Sequence, residues 1–184
     1  MRCKEYYNVR HLVNDGDIIA YRGNGVLSKS IQYFDKAYYN HVGVVKKVGK
    51  RLFTIDMWYQ GIEIVPLSRR INNYQDFCII RPKNKTKEEI DLALEGVTDL
   101  IERDSKYDYF LLPRIAFYKK TGIDLVNVGK RERFVCSELM QIYSQKVNIQ
   151  CYKDIDLITP QDFIRHANEE EIEIFYDYSP KINN

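Results

Sequence analysis

Five short segments in the first half of the chain constrain the fold more than any other feature. Each is rich in β-branched residues and each is bounded by turn formers: Asp17–Tyr21, His41–Val45, Leu52–Asp56, Ile62–Val65 and Phe77–Ile80. Asn14-Asp15-Gly16 precedes the first, Gly23-Asn24-Gly25 follows it, and Lys47–Lys50 and Gln60-Gly61 separate the next three. This is the punctuation of an antiparallel meander. Val26–Tyr39, polar and aromatic, reads as a short helix or lid. After Pro82 the signals turn helical. Thr86-Lys87-Glu88-Glu89 is a capping box, and Ile90, Leu94, Val97 and Ile101 recur at helical spacing. A second helix is predicted from Cys136, with Leu139, Met140, Tyr143 and Val147 as its apolar stripe. A third has Thr159 as N-cap and Pro160 at its first position. Glu171–Tyr176 alternates and predicts a last strand. Strands first and helices later predict an α+β fold, an antiparallel sheet or small barrel with helices packed on one side. No repeat or linker interrupts the 184 residues, so residues 1–184 are read as one domain.

Charge narrows the function classes. Lys and Arg number 28 against 26 Asp and Glu, a formal net charge of +2, too weak a balance for a nucleic-acid footprint. No apolar run approaches the ~20 residues that span a bilayer. The N-terminal Met1-Arg2-Cys3-Lys4-Glu5 lacks the apolar stretch of a secretory signal, so a cytoplasmic location is expected. Cys3, Cys78, Cys136 and Cys151 show no CxxC pairing and no neighbouring histidine, which argues against a structural metal. No cofactor is expected. In a reducing cytosol each cysteine is therefore a free thiol, used for packing or for chemistry.

A hairpin turning at Gly49-Lys50 pairs Gly43 with Asp56 and Val45 with Thr54, and brings Trp58 opposite His41. Side chains alternate along strands, so all of these share one face. His41 and Asp56 become diagonal neighbours with Cβ atoms roughly 7 Å apart. Gly43, without a side chain, leaves the imidazole free to lean toward the carboxylate. A loop of odd length would break this parity. An imidazole held in this way presents its other nitrogen in a defined tautomer, as a general base must. Cys136, in Phe134-Val135-Cys136-Ser137-Glu138-Leu139, stands where irregular chain turns into helix. There unpaired amides and the helix dipole favour a thiolate and can hold an oxyanion. Cys78 falls inside a strand, Cys3 in the terminus and Cys151 beyond the helix. Taken singly, a cysteine in an apolar helix is more often core and a histidine at a strand start more often a satisfied polar group. The joint arrangement favours chemistry. His11 and His166 have no carboxylate on a matching face.

Gly16-Asp17-Ile18-Ile19, His41-Val42-Gly43-Val44, Asp56 and Gly61–Leu67 together resemble the NlpC-type branch of papain-like thiol hydrolases. The order His41, Asp56, Cys136 resembles its circularly permuted group, which includes the YiiX-like bacterial proteins, poxvirus relatives and, more distantly, lecithin:retinol acyltransferase-like enzymes. Thr159-Pro160-Gln161-Asp162-Phe163 is similar to a segment that often follows the cysteine motif there. The similarity runs from about Val13 to Phe163, with the histidine and cysteine motifs its specific parts. It implies a circularly permuted papain-like fold, with Cys136 as nucleophile, His41 as base and Asp56 as the third member. Many relatives carry glutamate at that third position, so the shorter aspartate implies a looser or water-bridged contact with His41. Tyr107 resembles the tyrosine that precedes the cysteine motif, which implies a role in binding substrate or stabilising the oxyanion. The insert from Tyr109 to Arg133 separates the two and departs from the pattern. Ser137 and Trp58 are the remaining substrate or oxyanion candidates.

The expected reaction is acyl transfer through a thioester on Cys136. The expected partner is a peptide substrate of cell-wall type, to which a phage- or virus-encoded origin would give access, or an acyl-bearing lipid. The third expectation is a catalytically silent binding or virion component.

Overall fold

A computed structural model of the protein describes residues 4–23, 29, 32–33, 38–58, 60–73, 76–102, 106–107, 121, 133–134, 136–149, 160, 164 and 170–178. The elements are α1 (Lys4–Val9), β1 (Ile18–Tyr21), β2 (His41–Val48), β3 (Arg51–Trp58), β4 (Gly61–Pro66) and α2 (Leu67–Asn73). They continue with β5 (Phe77–Pro82), α3 (Lys87–Glu102), β6 (Lys106–Tyr107), β7 (Arg133–Phe134), α4 (Cys136–Lys146) and β8 (Ile172–Tyr178). All five strands predicted in the first half are present, as is the predicted last strand.

Six strands form one open antiparallel sheet in the order β4-β3-β2-β1-β5-β8. It is a meander only through β4. β5 crosses back to pair with β1 rather than with β4, and β8 pairs with β5. The β2–β3 register pairs Gly43 with Asp56 and Val45 with Thr54, the pairing that a turn at Gly49-Lys50 dictates. Gly49 takes φ 59°, the positive value that the first position of a two-residue hairpin turn demands.

The expectation of helices on one side needs correction. Every residue of β1 is buried, and so are the first five of β2 and the first four of β5. Runs apolar on both faces require a cover on each. On the first face Ile18, Ala20, Val42, Val44, Ile55, Met57 and Ile80 pack with Leu94 and Val97 of α3 and with Leu139, Met140 and Tyr143 of α4. On the second, Ile19, Tyr21, Val45, Phe77 and Ile79 pack with Tyr6 and Val9 of α1 and with Leu67 and Ile71 of α2. The sheet is therefore sandwiched between two helical layers.

Local sequence accounts for the helix ends that position these layers. The Thr86 amide donates to Glu89 Oε2 at 2.8 Å and the Glu89 amide to Thr86 Oγ1 at 3.2 Å, a reciprocal capping box at the start of α3. The buried Tyr143 hydroxyl donates to the Gly16 carbonyl at 2.6 Å, tying α4 to the turn that feeds β1. A short parallel pair sets Tyr107 opposite Phe134, two residues before Cys136, so the chain on either side of the long insert is brought together. Pro160 and Ile164 are helical, and the rest of the predicted third helix lies outside the described residues, as does most of Val26–Tyr39. Among the described residues no helix is long and apolar enough to cross a membrane.

Gly43 is tightly enclosed. A Cβ there would lie 2.6 Å from Thr54 Oγ1, 2.9 Å from the Asp56 Cβ and 3.0 Å from the Ile55 carbonyl oxygen. Gly43→Ala is expected to destabilise the protein by about 1–3 kcal/mol, the cost of forcing atoms into a packed interior. Urea denaturation checks this, and an unchanged midpoint would show that the strands part without strain.

Candidate active site

His41 opens β2 with its side chain almost entirely buried. Three neighbours fix the ring. Tyr21, its cross-strand partner on β1, lies with ring centroids 4.8 Å apart, and Trp58, near the end of β3, meets it edge-on, also at 4.8 Å. Asp56 faces it from below, with His41 Nε2 3.5 Å from Asp56 Oδ2. That contact is an ion pair rather than a close hydrogen bond, and Nε2 has no nearer partner among the described residues. The separation is in keeping with a side chain one methylene shorter than glutamate.

Asp56 is completely buried, a position a carboxylate tolerates only when paired. Its Oδ1 accepts a hydrogen bond from Arg70 Nη2 at 2.8 Å, and its Oδ2 accepts one from the Tyr21 hydroxyl. Arg70, on α2, also donates from Nη2 to Glu63 Oε2 of β4 at 2.7 Å, and its guanidinium lies over the Trp58 ring. Burial alone would raise the Asp56 pKa. His41, Arg70 and Tyr21 outweigh it and hold the carboxyl below its ordinary range.

Cys136 is the first residue of α4, 4% exposed, within the apolar cluster of the first face. Asp56 belongs to the second face by the alternation of β3. The two meet at His41, whose imidazole feels both the Asp56 carboxylate and the Cys136 sulfur. Burial opposes charge on the imidazole, but the charge on the Cys136 sulfur and the contacts with Asp56 and the thiol push its pKa up to about 9. The ring therefore keeps a proton at neutral pH when the sulfur is ionised.

Of the residues singled out by sequence, His41, Asp56, Cys136 and Trp58 are brought together. Ser137 stands in the first turn of α4 and Tyr107 in β6, placed by their backbones, while their side chains lie outside what is described. Cys78 is buried in β5, where burial pushes its thiol pKa up, the environment of an inert core thiol. His11 is exposed in the turn after α1. Cys3, Cys151 and His166 fall outside the described residues. Sequence reasoning missed Tyr21, Arg70 and Glu63. Tyr21 was within reach of the pairing argument, since a tight β1–β2 register sets it opposite His41. Arg70 sits in a seven-residue helix with too little periodicity to announce it.

Asp56 has little left to offer a metal ion. Both of its oxygens are engaged and a guanidinium stands beside it. Among the described residues no group of three or more His, Cys, Asp or Glu side chains is gathered to hold one.

The sheet and its helices have a counterpart among solved structures. The metalloprotein yiiX from Escherichia coli O157:H7, DUF1105, superposes with a TM-score of 0.51 at 20% identity, over 83% of this chain and 79% of that one. The likeness is one of fold. No protein-family model and no curated protein matches the chain.

Removing the cation beside Asp56 tests the buried network. Arg70→Met is expected to cost about 3–5 kcal/mol at neutral pH, because it leaves a buried carboxylate without its arginine. A carboxylate with a lowered pKa contributes stability above its unfolded value of about 3.9, and that contribution disappears as pH falls through the folded value. The gap between the two proteins should therefore narrow in acid. A gap independent of pH would mean that Arg70 contributes packing alone.

Proposed function

We propose that the protein is a cysteine hydrolase of the circularly permuted papain-like kind, cleaving an amide through a thioester on Cys136. The observation that carries this reading is the junction at His41, where a thiol from the helical layer and a buried carboxylate from the opposite face converge on one imidazole. The chain order His41, Asp56, Cys136 is that of the permuted group, and the yiiX-like fold is compatible with it. Asp56 is committed to Arg70 and Tyr21, so this reading assigns no metal ion to the site.

The steps follow from the residues. Cys136 gives its proton to His41 and the sulfur attacks the carbonyl carbon of the substrate. The first amides of α4, left without partners inside the helix, serve as backbone donors for the developing oxyanion. His41 then donates the proton to the leaving amine, and the thioester remains. Water, deprotonated by His41, attacks that thioester and releases the acid, returning the proton to sulfur. Asp56 stays ionised throughout and stabilises the charged ring. Trp58 and Tyr21 prevent the ring from rotating away.

Alkylation by iodoacetamide at neutral pH, followed residue by residue by mass spectrometry, tests the pair directly. Modification of Cys136 in the native protein is expected to outrun that of the buried Cys78. It should slow at least tenfold in His41→Ala, about 1.4 kcal/mol in activation free energy. Equal rates in both proteins would remove the basis for a hydrolase. Hydrolysis of muropeptides, assayed beside long-chain acyl esters, then identifies the acyl class, and Cys136→Ser should abolish whichever activity is found.

A further inference from the structure

Two carboxylates share one guanidinium nitrogen behind the imidazole. Arg70 Nη2 donates both to Asp56 Oδ1 at 2.8 Å and to Glu63 Oε2 at 2.7 Å. An arginine bound to Asp56 alone would cancel the field that the carboxylate exerts on His41. Glu63, on the far side of the same nitrogen, offsets that cancellation, since two carboxylates and one guanidinium leave the group with a net negative charge. We infer that Glu63 and Arg70 are positioning residues that act through Asp56, with Glu63 restoring the charge by which Asp56 holds a proton on His41.

Apart from the Cys136 sulfur, this group is the charge that the described surroundings set against the ring. From β1 the ring faces Tyr21, from β3 Asp56 and Trp58, and from α4 Cys136. Behind Asp56 stand Arg70 of α2 and Glu63 of β4. Tyr21 and Trp58 are uncharged rings. Arg70 is seated both by its carboxylates and by Trp58, over which its guanidinium lies, so charge and ring packing are coupled in one unit. Glu63 is the member closest to solvent, with its side chain 28% exposed, whereas that of Asp56 is fully enclosed. The pull on the imidazole is therefore adjustable from the outer end of the chain of contacts.

The inference rests on the acid–base reading of Cys136 and His41, but its test needs no turnover. With histidine labelled by nitrogen-15, the three histidines give three ring titrations, and His41→Gln identifies the relevant one. Glu63→Gln is expected to lower the His41 midpoint by about half to one pH unit, a threefold to tenfold loss of proton affinity from removing one charge at partial screening. Its urea midpoint should change little. An unchanged or raised His41 midpoint in folded Glu63→Gln overturns the inference. Should that variant fail to fold, Glu63→Asp keeps the charge but withdraws it by one methylene, and a smaller fall is expected; no fall overturns it equally. Failure of Cys136 alkylation to depend on His41 would instead defeat the hydrolase reading and leave the titration result standing.

Discussion

Everything at this site depends on a carboxylate that is completely enclosed and still ionised. Asp56 has lost its hydration, and a lone charge there would take up a proton or unfold the strands around it. Arg70, Tyr21 and His41 replace the water, each from a different element, so α2, β1 and β2 converge on one side chain of β3. The missing side chain of Gly43 allows that approach, since a methyl group there would meet the Asp56 side chain. Packing and electrostatics are therefore one problem here. The strands cannot shift register without stranding the charge, and the charge cannot stay buried unless the register holds.

The two-layer cover sets where thiol and carboxylate can meet. Cys136 belongs to the layer of α3 and α4, and Asp56 to the side of α1 and α2. A sheet ordinarily insulates one face from the other. His41 starts its strand, where the sheet ends, so its ring can be reached from both faces. The apolar surroundings of Cys136 strengthen any charge interaction with the ring, and the first turn of α4 supplies donors at the same place.

Much of this was legible in the sequence because it is written in local rules. Turn residues at Gly49-Lys50 and the alternation of β2 and β3 were enough to place His41, Gly43, Asp56 and Trp58 on one face. Thr86 and Glu89 announced the start of α3, and the apolar stripe of α4 placed its buried side correctly. What escaped was non-local or short. The return of β5 to the edge of β1 goes with apolar runs buried on both faces, and no turn residue announces it. α1 and α2 have six and seven residues, too few turns for a period to show. Arg70 looks like any surface arginine until the fold sets two carboxylates against it, and an ion pair leaves no spacing rule in a sequence.

The proton on His41 is the quantity that joins these observations, and its titration in the native protein and in Cys136→Ala is the most direct test. The native ring should titrate near 9, well above the ordinary histidine value, since the sulfur and Asp56 both favour its charged form. Replacing the sulfur by a methyl group should bring the midpoint down while Asp56 remains in place. A native midpoint at or below the ordinary value of about 6.5, unmoved by Cys136→Ala, would mean that thiol and imidazole do not interact and would contradict the account.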